Sequence, residues 1–170
     1  GPDFRIRPLV AADRDNLYIA ARDPLIWEQH PARNRHQRMF LMDIFPLWLP
    51  LAEHWHLKNG RSAESLAAHG IMGAERPWRV VCGFTFIEKR LWGGAANMAL
   101  KTLMLDHLFI TQPRVWFHIG KDNIRSQKGT GKLGAVADGR CHADLLGAGN
   151  AEAFLTFRLD AAAWASVSGR

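Results

Sequence analysis

The feature that most constrains the fold lies in the middle of the chain, where an apolar run, a glycine turn and an amphipathic helix follow one another. Residues 78–87 are rich in β-forming side chains and predict a central strand, and residues 98–110 predict a helix with its leucines on one face. Gly93, Gly94 and Ala95 stand between them and are small enough for a ligand to approach the backbone closely. A helix that begins beside them presents unpaired N–H groups and the positive end of its dipole. This order of elements predicts a phosphate-binding turn, and a pyrophosphate suits it.

The size of the chain fits one domain. Its 170 residues are 48% hydrophobic and 22% charged, and a chain of this length buries about 70% of its unfolded surface in a single core. We assign residues 3–170 to that domain and residues 1–2 to the remnant of an expression tag. The most apolar run, residues 39–52, contains prolines and is shorter than the roughly 20 residues of a membrane span. We therefore expect no transmembrane helix.

Cysteine and histidine usage predicts neither disulfides nor a metal site. Cys82 falls in the predicted central strand and Cys141 in a polar segment, without the spacing of a metal-binding motif. This usage is typical of a reducing compartment, so we expect a cytoplasmic location. His54 and His56 would share one face of a strand, but no third ligand stands at a diagnostic spacing. We expect no bound metal.

The positive charge of the chain is concentrated in one stretch. The formal net charge is +6, and residues 114–140 hold six lysines and arginines against two aspartates. A basic excess of this size suits either nucleic acid or a small ligand that carries several phosphates. The stretch lacks the dense alternation of basic and aromatic residues that lines a nucleic-acid groove. We therefore favour the small phosphorylated ligand and expect no nucleic-acid partner.

Proline and glycine positions divide the rest of the chain into helices and strands. Residues 4–9 alternate apolar and basic side chains, as an edge strand does, and residues 11–22 repeat apolar positions at helical spacing. A second helix over residues 38–45, redirected by Pro46, forms with the first helix and their connecting loop a unit that precedes the sheet. The remaining predicted elements are a strand at 115–119, a short helix at 126–133 and a last strand at 153–159.

Residues 53–80 give the weakest pattern. Apolar and polar side chains alternate in a first run that turns at Asn59-Gly60, a favoured hairpin dipeptide, whereas residues 62–69 have a composition that leans towards helix. We interpret the region as strand. The chain then forms a mixed α/β domain with the glycine turn at the C-terminal end of a central strand, where open sheets place their ligand sites.

The glycine turn carries the motif of a known family. Arg90-x-x-Gly93-x-Ala95 resembles the Q/R-x-x-G-x-G/A signature of the GNAT acyl-CoA N-acyltransferases. Its neighbours resemble the branch of that family which contains the ribosomal-protein N-terminal acetyltransferases, and the resemblance covers residues 4–38 and 81–135 well. The supporting motifs are Gly83-Phe-Thr-Phe, Trp92-Gly-Gly, Asn97-x-x-x-Lys101, Leu103-Met-Leu-x-His107, Val115-Trp-Phe-His-Ile-Gly, Asn123-x-Arg-Ser126, Lys132-Leu-Gly-Ala135 and Asp23-Pro-Leu-Ile-Trp-Glu-Gln-His-Pro31.

The resemblance implies a fold and an activity. The fold is a mixed, mostly antiparallel central sheet flanked by helices, of the α+β kind. The activity is transfer of an acetyl group from acetyl-CoA to a primary amine, such as a protein N-terminus or a small molecule, by direct attack in a ternary complex. The family also allows a homodimer. Two alternatives stay open: a catalytically weak acyl-CoA-binding module of the same fold, and a basic protein that acetylates or binds an RNA-linked target.

Coenzyme A suits this sequence because its phosphates need backbone N–H donors at a helix N-terminus and nearby cations. The resemblance implies that Thr85, Phe86 and Ile87 lie beside the pantetheine arm and that their backbone N–H groups point near the thioester oxygen. Asn123 and Ser126 would contact the cofactor, cap the following helix, or do both, and Arg125 would meet a phosphate or belong to a solvated basic face. The predicted phosphate-binding residues are Arg90, Trp92, Gly93, Gly94, Ala95, Ala96 and Asn97.

The catalytic residues are less well marked. An attacking amine must lose a proton, and Glu28, His118 and Glu88 are the candidate bases. Many enzymes of the family protonate the leaving thiolate with a tyrosine, but Tyr18, the only tyrosine here, lies in the first predicted helix. Ser126 is the alternative donor, and the other alternative is that the thiolate leaves with help from water and dipoles alone.

Overall fold

A computed structural model describes residues 4–39, 54–59, 65–73, 80–140 and 154–169. Their strands form one seven-stranded sheet in the spatial order β1-β2-β3-β4-β5-β7-β6. In chain order the strands are β1 (Phe4–Pro8), β2 (His54–Asn59), β3 (Ser65–Gly73), β4 (Val80–Ile87), β5 (Arg114–Gly120), β6 (Val136–Arg140) and β7 (Phe154–Asp160).

Four α-helices lie wholly within the described residues. They are α1 (Arg14–Ala21), α2 (Ala96–Leu108), α3 (Ile124–Gly131) and α4 (Ala161–Ser168). Helices α1, α2 and α4 bury apolar side chains against the sheet, whereas α3 buries only Thr130. None of the four has the length and apolar character that a membrane span requires.

The sheet is mixed, and its single parallel pair among the described strands is β4 and β5. Every other neighbouring pair in the order is antiparallel. A parallel pair needs a long crossover, and here α2 provides it. The prediction of a mixed, mostly antiparallel sheet flanked by helices is confirmed.

The two parallel strands separate along their length. They pair only at Val81 with Trp116 and at Cys82 with Phe117, although β4 runs on to Ile87. Beyond Cys82 the side of β4 that faced β5 therefore borders a gap, and its backbone groups there are not committed to a ladder with β5. This split between β4 and β5 opens the middle of the sheet to a ligand.

The core packs on both faces of the sheet. On one face α1 and the segment after it enclose a cluster that contains Leu17, Trp27 and Phe86, so these elements share the core of the sheet. The prediction of a separate unit before the sheet is therefore wrong, because the apolar side of α1 can be buried only against β4 and its neighbours. On the other face, residues of α2 and α4 pack against residues of the strands. This cluster includes Met104, Leu105, Val115, Leu159 and Trp164.

Most predicted elements are confirmed, with shifted ends. The weakly patterned region 53–80 does contain strands, and helix α2 begins two residues earlier than predicted. The helix predicted over 38–45 falls almost entirely outside the described residues. Strand β6 and helix α4 were not predicted: β6 is short and holds Gly139 at φ +98°, and the alanine-rich α4 has no clear apolar period.

Candidate active site

A cavity of about 500 Å³ occupies the split between β4 and β5. Its walls come from four parts of the chain: the split strands, the glycine turn with the start of α2, the start of α3, and the segment around Trp27. Open α/β sheets bind ligands at such points, beyond the C-terminal ends of neighbouring strands. This volume is within the usual range for small-molecule sites.

The glycine turn is held by local hydrogen bonds. The Trp92 indole N–H donates to the Ile87 carbonyl at 3.0 Å, and the Gly94 N–H donates to the Leu91 carbonyl at 3.4 Å. Gly93 has φ +73°, a left-handed conformation that favours glycine. A Cβ placed there would meet nothing within 4 Å. The backbone conformation therefore favours glycine at 93, and the space around a side chain at this position is open.

The turn leads directly into α2, whose first residue is Ala96. The first N–H groups of a helix have no partner within it and attract anions. Lys128 and Lys132 of the α3 region line the same cavity, together with Asn97. Part of the basic stretch found in the sequence therefore converges on the helix N-terminus, as a phosphate group requires.

The predicted cofactor residues divide into two groups. Arg90 lies outside the cavity wall, where its guanidinium bonds the Glu88 carboxylate at 2.8 Å. Neither the exposed Ala95, the N-cap of α2, nor the buried Ala96, its first residue, is part of the cavity wall. The remaining predicted residues line the cavity together: Thr85, Phe86, Ile87, Trp92, Gly93, Gly94, Asn97, Asn123, Arg125 and Ser126.

Asn123 caps helix α3. Its side-chain oxygen accepts a hydrogen bond from the Ser126 N–H at 3.1 Å. The Gln127 amide closes the preceding loop by donating to the carbonyls of Gly120 and Lys121 at 3.1 and 2.8 Å. The capping alternative for Asn123 is thus confirmed, and the same cap fixes the Ser126 hydroxyl at the cavity wall.

Replacing Asn123 separates capping from ligand contact. Asn123→Ala should lower the free energy of unfolding by about 1 kcal/mol, whereas Asn123→Asp keeps a capping oxygen and should unfold like the parent. The aspartate also brings a negative charge to the cavity, so it should weaken binding of a phosphorylated ligand. Urea unfolding and calorimetric titration with CoA measure the two effects. Equal loss of stability in both variants would contradict the assigned cap.

The segment around Trp27 forms a second wall of the cavity. The Trp27 indole N–H donates to the Ala21 carbonyl at 2.7 Å, which ties the segment to the end of α1. Pro31 packs so closely on the end of β5 that a Cβ at Gly120 would stand 2.8 Å from its ring. Close approach therefore requires glycine at 120. The indole ring contacts Phe86 of β4, with ring centroids 5.5 Å apart.

Arg125, at the start of α3, contacts both the segment around Trp27 and the glycine turn. Its guanidinium pairs with the Glu28 carboxylate at 3.1 Å and donates to the carbonyls of Leu25 and Ile26. Its central carbon also lies 3.9 Å from the centroid of the Trp92 ring, a stacked cation–π arrangement. Arg125 therefore links the segment around Trp27 to the glycine turn at the wall of the cavity. The interpretation of this arginine as part of a solvated basic face is wrong, because it has partners on three sides.

The candidate catalytic residues are placed differently from one another. His118 of β5 and Ser126 of α3 line the cavity. Glu28 does not line it: this carboxylate is held by Arg125 and its side chain is 46% exposed. Glu88 is likewise paired with Arg90 outside the wall. Tyr18 stacks against Arg38, with the guanidinium carbon 5.4 Å from the ring centroid, and is not part of the wall.

Sequence reasoning did not single out His30, which lines the cavity. Its Nδ1 accepts a hydrogen bond from the Ala32 N–H at 2.9 Å, so the proton of the neutral ring sits on Nε2. Burial, reinforced by the charge of Arg35, lowers the pKa of His30 to about 3. The ring stands edge-on to Trp27 at 5.6 Å. His30 is therefore a fixed neutral donor and a poor base.

The lowered pKa of His30 makes stability depend on pH. The unfolded chain takes up a proton at about pH 6.5, whereas the folded chain does so only near pH 3. The unfolded state thus binds more protons between these values, and stability should fall as the pH is lowered from about 6.5. His30→Asn keeps an acceptor for the Ala32 N–H and does not titrate. Urea unfolding at several pH values should show a shallower decline for this variant, and identical slopes would refute the assignment.

Sequence reasoning also gave no role to Lys101, a buried residue of α2 that lines the cavity. Its ammonium lies 3.2 Å from the Thr85 hydroxyl and 5.1 Å from the centroid of the Phe117 ring. Burial lowers the pKa of Lys101 to about 8. Its position four residues after Asn97 places both on one helix face, and that spacing is the sequence signal that could have found it.

Metal ligands do not gather in this cavity. Among the residues that the structure describes, no three histidine, cysteine or acidic side chains stand close enough to hold an ion. Cys141 and its neighbour His142 lie outside the described residues. Cys82 is buried, and burial raises the pKa of its thiol to about 12, which makes it unreactive.

Known proteins resemble this chain in structure more than in sequence. No protein-family model and no curated protein match it. A GCN5-related N-acetyltransferase from Brucella melitensis matches with a TM-score of 0.73 and 16% identity, over 99% of this chain and 80% of that one.

Two further matches are solved with ligands. Spermidine N-acetyltransferase from Vibrio cholerae, in complex with CoA and spermine, has a TM-score of 0.69 and 11% identity over 95% of this chain and 97% of that one. Mycobacterium smegmatis RimJ, in complex with CoA-disulfide, has a TM-score of 0.68 and 16% identity over 98% and 90%. Likeness at these identities concerns the fold. The chain has the fold of the GNAT acetyltransferases.

Proposed function

We propose that the chain is an acetyl-CoA-dependent N-acetyltransferase that acts on a primary amine. The observation that carries the proposal is the split between β4 and β5, which opens one cavity beside a helix N-terminus and basic side chains. A long, thin substrate with phosphates at one end and amides along its arm suits that combination. The structurally similar proteins that bind CoA support the choice.

Each part of CoA has suitable groups in the cavity. The first N–H groups of α2 suit the pyrophosphate, and Lys128 and Lys132 suit the phosphate on the ribose. Thr85, Phe86 and Ile87 lie along the gap beyond the last pair of the β4–β5 ladder, a position that suits the pantetheine arm. The residues present therefore fit this substrate.

The amine would enter beside the second wall, which Ile26, Trp27 and His30 form. An amine attacks only in its neutral form, so a proton must leave it. We assign this role to His118, directly or through water, since His118 lines the cavity and the carboxylate of Glu28 is engaged by Arg125. Fixed backbone N–H groups of β4 would stabilise the negative charge on the thioester oxygen, an effect of roughly 3 kcal/mol per donor.

Direct attack is preferred over a covalent acyl-enzyme. Cys82 is the cysteine of the cavity wall, and burial raises the pKa of its thiol to about 12 even with Lys101 beside it, so the thiolate that a nucleophile requires is disfavoured. The amine and acetyl-CoA would therefore bind together before reaction. The spermine in the Vibrio cholerae complex supports an amine as the second ligand.

Initial-rate kinetics test this proposal. Thiol release should depend on an added amine, and double-reciprocal plots against acetyl-CoA at several amine concentrations should intersect. Parallel lines would contradict direct attack, because they indicate a covalent intermediate.

A weak acyl-CoA-binding module is the second candidate function. The placement of Tyr18 away from the cavity favours it, since no tyrosine lines the part of the cavity wall that the structure describes. This alternative would be established if acetyl-CoA binds tightly and no added amine causes release of the CoA thiol.

A further inference from the structure

Lys101 is a buried cation with few partners. The residue is 6% exposed, and within the described parts of the chain its ammonium has one hydrogen-bond partner, the Thr85 hydroxyl at 3.2 Å. The face of the Phe117 ring, 5.1 Å away, supplies a weaker attraction. Among the residues that the structure describes, no carboxylate lies within ion-pair distance of this nitrogen. An ammonium has three N–H donors, so most of its hydrogen-bonding capacity remains uncommitted.

A buried charge without an opposite charge is unfavourable, and proteins seldom keep one for stability. Met or Leu at this position of α2 would pack against Cys82 and Phe117 without that cost. A group at the cavity wall that carries such a cost is a candidate for a functional role. The ammonium is thus suited to meet negative charge that arises only when the cavity is occupied.

The position of Lys101 indicates where that charge arises. Thr85 lies on β4 three residues beyond Cys82, which forms the last pair of the β4–β5 ladder with Phe117. The ammonium between Thr85 and Phe117 stands at the point where the strands separate. A substrate anchored by its phosphates at the start of α2 and running along Thr85 to Ile87 would bring its thioester towards this point.

We propose that Lys101 is a catalytic residue that donates its proton to the sulfur of the departing CoA. This inference rests on the proposed function. After attack by the amine, the carbon–sulfur bond breaks and its electron pair moves to sulfur, which takes a proton from the Lys101 ammonium. The amide and free CoA result. Lys101, now neutral, regains a proton from water before the next cycle, and the proton lost by the amine goes to His118 or to water.

Acid–base matching supports the assignment. Burial lowers the pKa of Lys101 to about 8, close to the value of about 8.5 for a free thiol. Proton transfer between groups of similar pKa is efficient in both directions. Cys82 is the titratable group that acts on Lys101 directly. The other ionisable groups of the cavity wall are His30, His118, Arg125, Lys128 and Lys132.

Turnover by Lys101→Met provides the first test. We expect kcat to fall about 100-fold or more, because the general acid is lost. Affinity for acetyl-CoA should be unchanged, and thermal unfolding should occur at the parent temperature or above, since an unpaired buried charge is removed. Lys101→Arg keeps a cation but does not give up its proton, so its kcat should stay close to that of Lys101→Met. Lys121→Met, which removes an exposed lysine outside the cavity, is the matched control.

The second test does not need an amine acceptor. The thiolate absorbance of bound CoA is titrated against pH, with desulfo-CoA complexes as the blank for protein thiols. A nearby ammonium should hold the thiol pKa of bound CoA at least one unit lower in the parent than in Lys101→Met. Equal values, or a parent kcat retained by Lys101→Met, would overturn the role of Lys101 and leave the proposed function standing. Failure of CoA to bind the parent would overturn both.

Discussion

Gly93→Glu is expected to abolish binding of acetyl-CoA while leaving the fold in place. The glutamate would put a carboxylate beside the N-terminus of α2, where the substrate's pyrophosphate is proposed to lie, so two like charges would meet. No atom stands within 4 Å of a Cβ at this position, so the side chain itself fits. The positive φ of Gly93 adds a strain of about 1–2 kcal/mol, which a stable domain tolerates.

Gly93→Gln is the matched control for that prediction. Glutamine has the same shape and suffers the same backbone strain, but it carries no charge. Calorimetric titration should show that Gly93→Glu loses much more affinity for acetyl-CoA than Gly93→Gln does. Circular dichroism should show the same fold for both variants. Equal affinities in the two variants would place the phosphates away from the glycine turn.

Trp27→Ala is expected to cause the largest loss of stability among single changes near the cavity. The indole is buried, packs against Phe86 and His30, and donates a hydrogen bond to the Ala21 carbonyl. Removing a buried tryptophan costs about 3–5 kcal/mol, and the freed carbonyl is left without this partner. For a domain of this size the melting temperature should fall by roughly 10 °C.

Trp27→Phe separates packing from hydrogen bonding at the same position. Phenylalanine keeps most of the buried area and loses the indole N–H, so it should cost only about 1–2 kcal/mol. Differential scanning calorimetry of both variants measures the two contributions. If Trp27→Ala melts within a degree or two of the parent, the second wall of the cavity is not part of the core.

The glycine turn and helix start at one end of the cavity were predictable because their conformations are decided by residues that are close in sequence. The strand that ends at Ile87, the left-handed Gly93 and the helix that begins at Ala96 follow from backbone preferences of the apolar runs and of glycine. The cap at Asn123 was an open alternative for the same reason, since capping residues act over three positions. The resemblance to the GNAT family rests on these segments.

Contacts between distant segments were not predictable in the same way. Arg125 reads as one basic residue among several, yet it meets Glu28 and Trp92, which are far from it in sequence. In the sequence, Lys101 is a single charged residue within an otherwise apolar stretch of helix. It lines a cavity because β4 and β5 separate beside it. His30 likewise depends on how the segment after α1 packs. Long-range packing decides such roles, and periodicity does not report it.

Calorimetric titration of the parent protein with acetyl-CoA, followed by a thiol-release assay with a panel of amines in the same samples, tests the central claim most directly. We expect micromolar binding with one site per chain and release of thiol that depends on the amine. Saturable binding without release would leave only the binding module. No binding of acetyl-CoA would contradict the account, because the split between β4 and β5 and the helix N-terminus would then serve another ligand.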